Sequence, residues 1–532
     1  MPDSAQHTDW QDAIELSTLR ETGAKVIKVG SKQIALFDRD GEIYACNNRC
    51  PHEGYPLKEG TLSGDCTLTC NWHNWKFDLR TGDNAYGGDR LRVYPTCVEG
   101  GMIRIDVADA PAQARIDDAL NNLRDSFDRH EYDRMAREIA RMDKAGGDVL
   151  DAVRETIKWT HDRFEFGIGS THAPMAAADW LRLRDTRAHD DATRLMPVHE
   201  IVANFAWDSQ REPVFPYSTE TKPWNEDDFV QAIEDEDEGT ATAHVRGALD
   251  VGMGWADMER GFARASLAHY LDFGHGAIYV LKTGELLDHL GDDVIEPLLL
   301  MLTRGLVKSW REDLIPEFRE YAAILENWNT TKDQVVQPVD FSGLGAKAAM
   351  TLAAKASQSP DELYDVLLEM NGRSVLKFDL DVQAATTNSI AHNRTWLSVT
   401  HEVTFANAAR HLAQKYPELW PSALLQMCCF FGRNSDSQDA SICLEDWLVS
   451  DPTAFLNETL DSLFDHGQFE YIVTAHLIKT TTAISDEIDN NPGGAWQPTL
   501  LAALNRFLHS PLKRRHAMRT ANQALSFVAI ED

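Results

Sequence analysis

Cys50-Pro51-His52, then seventeen residues, then Cys70-Asn71-Trp72-His73: these two short half-sites decide how the first part of this 532-residue chain is read. Each half offers one thiol and one imidazole from what reads as a tight loop. Two such loops can close on one metal centre from opposite sides. Mixed sulfur and nitrogen ligation suits zinc. It also suits a pair of irons, with the thiolates on an inner iron that stays ferric and the imidazoles on an outer iron that takes the electron.

The surrounding text reads as strands. KVIKV, QIALF, EIYAC, CTLTC and MIRIDV alternate with the turn signals Asp40-Gly41, Ser63-Gly64, Thr81-Gly82 and Gly87-Gly88, so an all-β domain is expected over about residues 24–107. The run ADAPAQA at 108–114 has no apolar period and reads as a linker. The flanks of the half-sites, His52-Glu-Gly-Tyr-Pro-Leu-Lys-Glu-Gly-Thr-Leu and His73-Asn-Trp-Lys-Phe-Asp-Leu-Arg-Thr-Gly, resemble the Rieske ferredoxin and oxygenase family over residues 20–107. The resemblance argues against zinc. It implies a [2Fe–2S] cluster held by Cys50, His52, Cys70 and His73 at the tip of a small β domain, with both histidine edges near the surface. Imidazole in place of thiolate raises the potential above that of an all-Cys centre.

Two departures from the family text matter. Asn74 stands where a glycine often follows the second histidine, and asparagine tolerates unusual backbone angles. No cysteine lies in 51–56 or 71–75, so the disulfide of the respiratory-complex branch is absent and a ferredoxin-like member is expected. Cys46 and Cys66 each precede a ligand by four residues and read as inward-facing strand residues. Cys428, Cys429 and Cys443 read as core. Trp72 and Trp75, flanking His73, either shield the cluster or simply pack.

Beyond the linker, apolar residues recur every three or four positions in 115–160, 172–207, 255–326, 344–370, 396–431, 443–486 and 497–529. Loops are expected at 208–242, which carries an acidic EDEDE run, and at 327–345, 432–440 and 489–498. The fold class is therefore multidomain α+β. An all-β Rieske domain at 1–110 is followed by a large all-α, histidine-rich domain at 115–532.

A ring hydroxylase would continue with a β-rich domain and a two-His-one-carboxylate iron site. Asp272 and His275 match the first half of that signature, but the next histidine, His289, is too far along. The helical text instead holds His172, His199, His269, His275, His401 and His476 on or beside apolar faces, with His161 and Glu165 in reserve. Histidines from separate helices can meet in a bundle core and bind iron. The Glu-x-x-His pairs of carboxylate-rich di-iron bundles are missing. His401-Glu-Val-Thr-Phe-Ala-Asn-Ala-Ala-Arg and Ala475-His-Leu-Ile-Lys resemble the helical questin oxidase-like family, which implies oxidative chemistry on aromatic polyketides. The expected function is an oxygenase in which the cluster feeds electrons to a histidine-bound, non-heme iron acting on a small organic substrate. The rivals are an electron carrier whose helices form a docking scaffold, and a redox sensor.

The chain has no G-x-G-x-x-G turn after a strand, so electrons are expected from a separate NAD(P)H-dependent reductase or ferredoxin. The 84 acidic against 51 basic residues give a net charge of −33, which opposes nucleic acid and anionic lipid. No basic-then-apolar leader and no run of about 20 apolar residues is present, so no membrane association and a cytoplasmic location with reduced thiols are expected.

Overall fold

The computed structural model describes residues 8–163, 171–209, 213–513 and 515–530, and the chain divides into two compact units, 1–152 and 153–532.

The first unit is built on antiparallel strands. One sheet has Ala24–Val29, Lys32–Arg39, Glu42–Asn47 and Val93–Tyr94 in that order; a second sets Met102–Asp106 between Trp10–Glu15 and Thr96–Glu99; the third is Thr61–Leu62, Thr67–Thr69 and Lys76–Asp78. Lys32–Arg39 is buried on both faces, which is why QIALF reads as a continuous apolar run. Ile34 and Leu36 enter a core with Leu19, Ala45, Tyr94, Ile103 and Ile105. Ala35 and Phe37 enter a second core with Leu57, Leu68, Phe77 and both ligand cysteines. The Asp40-Gly41 turn has φ of 55° and 86°, the two-residue hairpin geometry that matches strand twist.

Helices Ala112–Asp128 and Tyr132–Lys144 group with this β domain, so the compact unit runs past the boundary expected at residue 110. The reason is electrostatic. Asp89, with a fully buried side chain, takes Arg137 at 2.6 Å and Arg141 at 2.7 Å. Burial works against its charged form, yet the two guanidiniums hold the carboxyl below its usual range. Asp89→Ala is expected to destabilise this unit by about 3 kcal/mol, the scale for breaking a buried pair. Urea unfolding followed by the cluster's absorbance checks it.

The second unit is helical. Two expectations change. The stretch 208–242 is not all loop: Glu226–Glu234 and Glu238–Asp250 are helices, capped by Asn225 and Asp237, whose side chains accept the Asp228 and Thr240 N–H. The acidic run marks the junction between two helices, the first only nine residues long and too short to show a clear period. In 443–486 the first α-helix begins only at Pro452, after a single 3-10 turn at Glu445–Trp447, and Cys443 is exposed rather than core. Cys66 also departs from expectation. It lies half-buried in a turn with φ of 65° and donates to the Tyr44 hydroxyl at 3.2 Å. Cys46, Cys428 and Cys429 are fully buried. Among the described residues no helix is long and apolar enough to cross a membrane.

Helices Ala173–Arg187, His275–Leu290, His401–Lys415 and Tyr471–Asn490 pack in a closed ring, each touching the next. His172, His275, His401 and His476 lie together at one end of this ring.

Candidate metal centres

The two cluster loops are built alike. The Cys50 N–H donates to the Tyr55 carbonyl at 2.9 Å and the Gly54 N–H returns to the Cys50 carbonyl at 2.8 Å; Cys70, Trp75 and Asn74 repeat the pattern at 2.7 and 2.9 Å. The residue four places after each cysteine must take a left-handed conformation. Gly54 has φ of 74° and Asn74 has φ of 62°, so asparagine does here what glycine does in the other loop. Both cysteines are buried, 4% and 1% exposed, while the His52 and His73 side chains are about a third exposed. The two imidazoles meet at Nδ1, 3.2 Å apart, and their Nε2 atoms point away from that meeting. Two inner sulfurs and two outer nitrogens on one spot fit a [2Fe–2S] cluster with differentiated irons.

The tryptophans flanking His73 both lie against ligands. Trp75 stacks on His52 at 4.6 Å and 10°, and the exposed Trp72 stacks on His73 at 5.2 Å and 17°. Glu53 stands 3.9 Å from Nε2 of His52 and 3.8 Å from Nε2 of His73. Its negative charge favours the oxidised cluster. Glu53→Gln is expected to raise the potential by on the order of tens of millivolts, since unit charges about 4 Å apart interact by ~1 kcal/mol even in water. Spectroelectrochemical titration reads the shift.

In the helical unit the structure brings together four of the six candidate histidines. His172 is the residue before its helix, His275 and His401 open theirs, and His476 lies in the second turn of its own. Ring centroids are 4.4 Å apart for His275 and His401, 4.8 Å for His172 and His476, 4.9 Å for His401 and His476, and 5.1 Å for His172 and His275. One ligand nitrogen from each of His172, His401 and His476 lies within 4.8 Å of the others.

Two of the outward nitrogens face backbone carbonyls, while Nδ1 of His275 has a carboxylate nearby but no hydrogen bond. His476 Nδ1 donates to the Ile472 carbonyl at 2.6 Å, His401 Nδ1 faces the Ser398 carbonyl at 3.3 Å, and His275 Nδ1 lies 3.5 Å from Asp272 Oδ2. Nε2 of all four is buried without a hydrogen-bond partner. Buried polar atoms of native proteins are nearly always paired. Three of these residues, His172, His401 and His476, can each turn a ligand nitrogen to within 4.8 Å of the others, and the His275 ring packs against those of His172 and His401, so the cluster has the donor set of a candidate metal site. Burial, with other imidazoles and Lys479 adding to it, holds His172 and His401 well below the usual histidine pKa and puts His476 at about 3. Neutral imidazole is the ligating form.

Sequence reasoning missed a second layer. One turn along, Lys479 is buried with the Met175 sulfur 3.9 Å from Nζ, and burial lowers it to about 8. A turn further, Asp179 accepts from Lys282 at 2.9 Å and Thr482 at 2.7 Å. Met175 and Lys479 lie three residues after His172 and His476, and Asp179 and Lys282 seven after His172 and His275, so helical spacing from the histidines would have flagged these four.

The other candidates lie elsewhere. His269 sits between Glu234 at 3.1 Å and Asp313 at 3.8 Å. A continuous helix through 267–280 would put His269, Asp272 and His275 on one side, but Asp272, Phe273 and Gly274 have φ of 39°, 51° and 74°, and this turn sends His269 and His275 apart. Left-handed backbone costs about 1–2 kcal/mol per non-glycine residue, and such outliers cluster at functional sites. Gly274 is required, because a Cβ there would lie 2.4 Å from Phe405. His199 is buried on helix Asp191–Ser209 and makes no ring contact with the four. His161 stacks on Tyr217, and Glu165 lies outside the described residues.

Comparison with known proteins bears on the first centre. Residues 9–94 match the model of the Rieske [2Fe-2S] domain. The chain is 44% identical over 82 residues to the 3-phenylpropionate/cinnamic acid dioxygenase ferredoxin subunit of Escherichia coli (strain K12), covering 15% of this chain and 77% of that protein. It is 33% identical over 101 residues to the ferredoxin component of the naphthalene 1,2-dioxygenase system of Pseudomonas aeruginosa, 19% of this chain and 96% of that one. The solved ferredoxin of carbazole 1,9a-dioxygenase from Nocardioides aromaticivorans IC177 aligns with 18% of this chain and 95% of its own, at 22% identity and a TM-score of 0.17.

Proposed function

Because the chain belongs, through residues 9–94, to the Rieske [2Fe-2S] family, we propose that it is an oxygen-dependent oxidoreductase whose cluster, held by Cys50, His52, Cys70 and His73, feeds single electrons to a metal bound by His172, His401 and His476, with the adjacent His275 as a fourth ligand. The observation that carries this reading is the gathering of His172, His401 and His476, with ligand nitrogens within 4.8 Å of one another, and of His275 packed against two of their rings, each with a buried, unpaired Nε2. Iron is the metal of choice, since imidazole suits it and an all-histidine set leaves positions open. Such a centre supplies dioxygen activation when loaded.

The chain's own residues do the rest. The Ile472 and Ser398 carbonyls fix which nitrogen of His476 and His401 faces inward. Burial keeps the imidazoles of His172, His401 and His476 neutral. Electrons come from a separate NAD(P)H-dependent reductase or ferredoxin, and the substrate is a small organic molecule. Metal analysis of protein made with excess iron tests the reading: three irons per chain are expected, and two irons with no other transition metal would overturn it.

A second reading is supported by the relatives themselves, which are ferredoxin components of dioxygenase systems. In it the chain is an electron carrier and the helical unit a docking scaffold. It expects a reducible cluster, no second metal and no oxygen consumption with any substrate.

A further inference from the structure

We propose that Glu312 is a positioning residue for the histidine chamber, latching the strained 272–274 turn so that His275 and Phe273 are held against the metal position. The inference rests on the reading of the four histidines as a metal site.

Three consecutive left-handed residues do not persist by local preference, so something must hold them. Glu312, 4% exposed, accepts the Phe273 N–H at 3.1 Å through one carboxylate oxygen and pairs with Arg433 through the other. The Arg433 guanidinium lies 5.4 Å from the centre of the Phe273 ring and 5.6 Å from that of Phe318. Two more bonds close the turn: the Gly274 N–H donates to the Leu271 carbonyl at 2.7 Å, and the Asp272 N–H reaches the Trp310 carbonyl at 3.3 Å.

The turn has two outputs, both at the chamber. On one side it delivers Asp272 to Nδ1 of His275 and starts the helix at His275 itself. On the other it lays the half-buried Phe273 ring 6.1 Å from His401, with Trp310 at 6.0 Å behind it. A relaxed turn would continue the helix backwards and put Phe273, two residues before His275, on a different face from it. Glu312 touches neither imidazole, so its influence on the metal passes through the backbone of 272–274.

The full chain with its Rieske cluster carries its own control for folding. Cobalt(II) is titrated into metal-depleted helical sites, with the cluster oxidised and silent in electron paramagnetic resonance, for the parent and for Glu312→Gln. The variant keeps a carbonyl acceptor for Phe273 but loses the charge that holds Arg433. The expected result is a cobalt affinity lowered about 10- to 100-fold, the range for groups that orient ligands, with an altered cobalt signal and an unchanged reduced-cluster signal. Equal affinity and an identical cobalt signal would overturn the proposal. A parent that binds no cobalt would remove the metal reading itself, and this inference with it. Should Glu312→Gln fail to fold, Phe273→Gly carries the test, because glycine accepts the same φ without holding the turn rigid. Weakened cobalt binding supports the latch, and unchanged binding refutes it.

Discussion

Replacing His401 by alanine is expected to strip the helical unit of its metal and end oxygen consumption, while the electron paramagnetic resonance signal of the reduced Rieske cluster persists. His401, like His172, touches the rings of the other three, and it alone of the two also meets Phe273. Its loss leaves three imidazoles and opens space where Phe273 and Phe405 crowd. Removing an outer-shell partner alone costs about 10- to 100-fold in affinity, and removing a ligand costs more. His269→Ala is the matched control. That imidazole already has Glu234 and Asp313 beside it, so its removal should leave metal content unchanged. If His401→Ala retains the parent's iron stoichiometry, the four histidines do not form the site. If His269→Ala loses iron as fully, the effect is on folding and not on ligation.

The two centres differ in how far the sequence reveals them, and the reason is distance along the chain. The cluster ligands lie within 24 residues, in loops whose turn chemistry is local, so the motif carries both identity and geometry. The strands around it alternate with period two, and the doubly buried Lys32–Arg39 announces itself as an apolar run. The histidine chamber is assembled from four helices spread from His172 to His476. Six histidines on apolar faces satisfy the same local rule, and only packing selects four. The stretch 267–280 is instructive. Asp272 and His275 sit three apart and look helical, but the geometry is an irregular turn that only Glu312, Arg433 and Phe405 make intelligible, and these come from distant elements. Gly274 and Gly276 are the local signs against a continuous helix. The acidic stretch misled for a related reason: Asp237 reads as solvated charge until the helix it caps is in place.

Acid should unfold the helical unit steeply, and the slope measures how many imidazoles are buried neutral. In an unfolded chain each histidine binds a proton near pH 6.5. In the fold, burial holds His172 and His401 well below that value and His476 at about 3. Their contribution to stability is therefore present above about pH 6.5 and lost as pH falls toward their folded values. Each one costs about 1.4 kcal/mol per pH unit over that window, roughly 4 for the three. Glu402 works the other way. Burial raises its carboxyl to about 8, so between about pH 8 and 4.5 the folded state holds one proton more than the unfolded and gains stability as pH falls. The net is two protons, or roughly 3 kcal/mol per pH unit between pH 6.5 and 4.5. A fold worth about 5–15 kcal/mol is exhausted within a few units at that slope. Urea melts of the metal-free chain followed by far-ultraviolet circular dichroism at several pH values give the slope directly. Replacing His172 and His476 together by glutamine removes two of the three refused protons, so the slope should vanish in this window. Bound metal should protect, because it binds the folded, neutral imidazoles and adds its own free energy to the folded state. A metal-free chain whose stability is flat from pH 6.5 to 4.5 would mean that the imidazoles reach water, and their buried, neutral state would be abandoned.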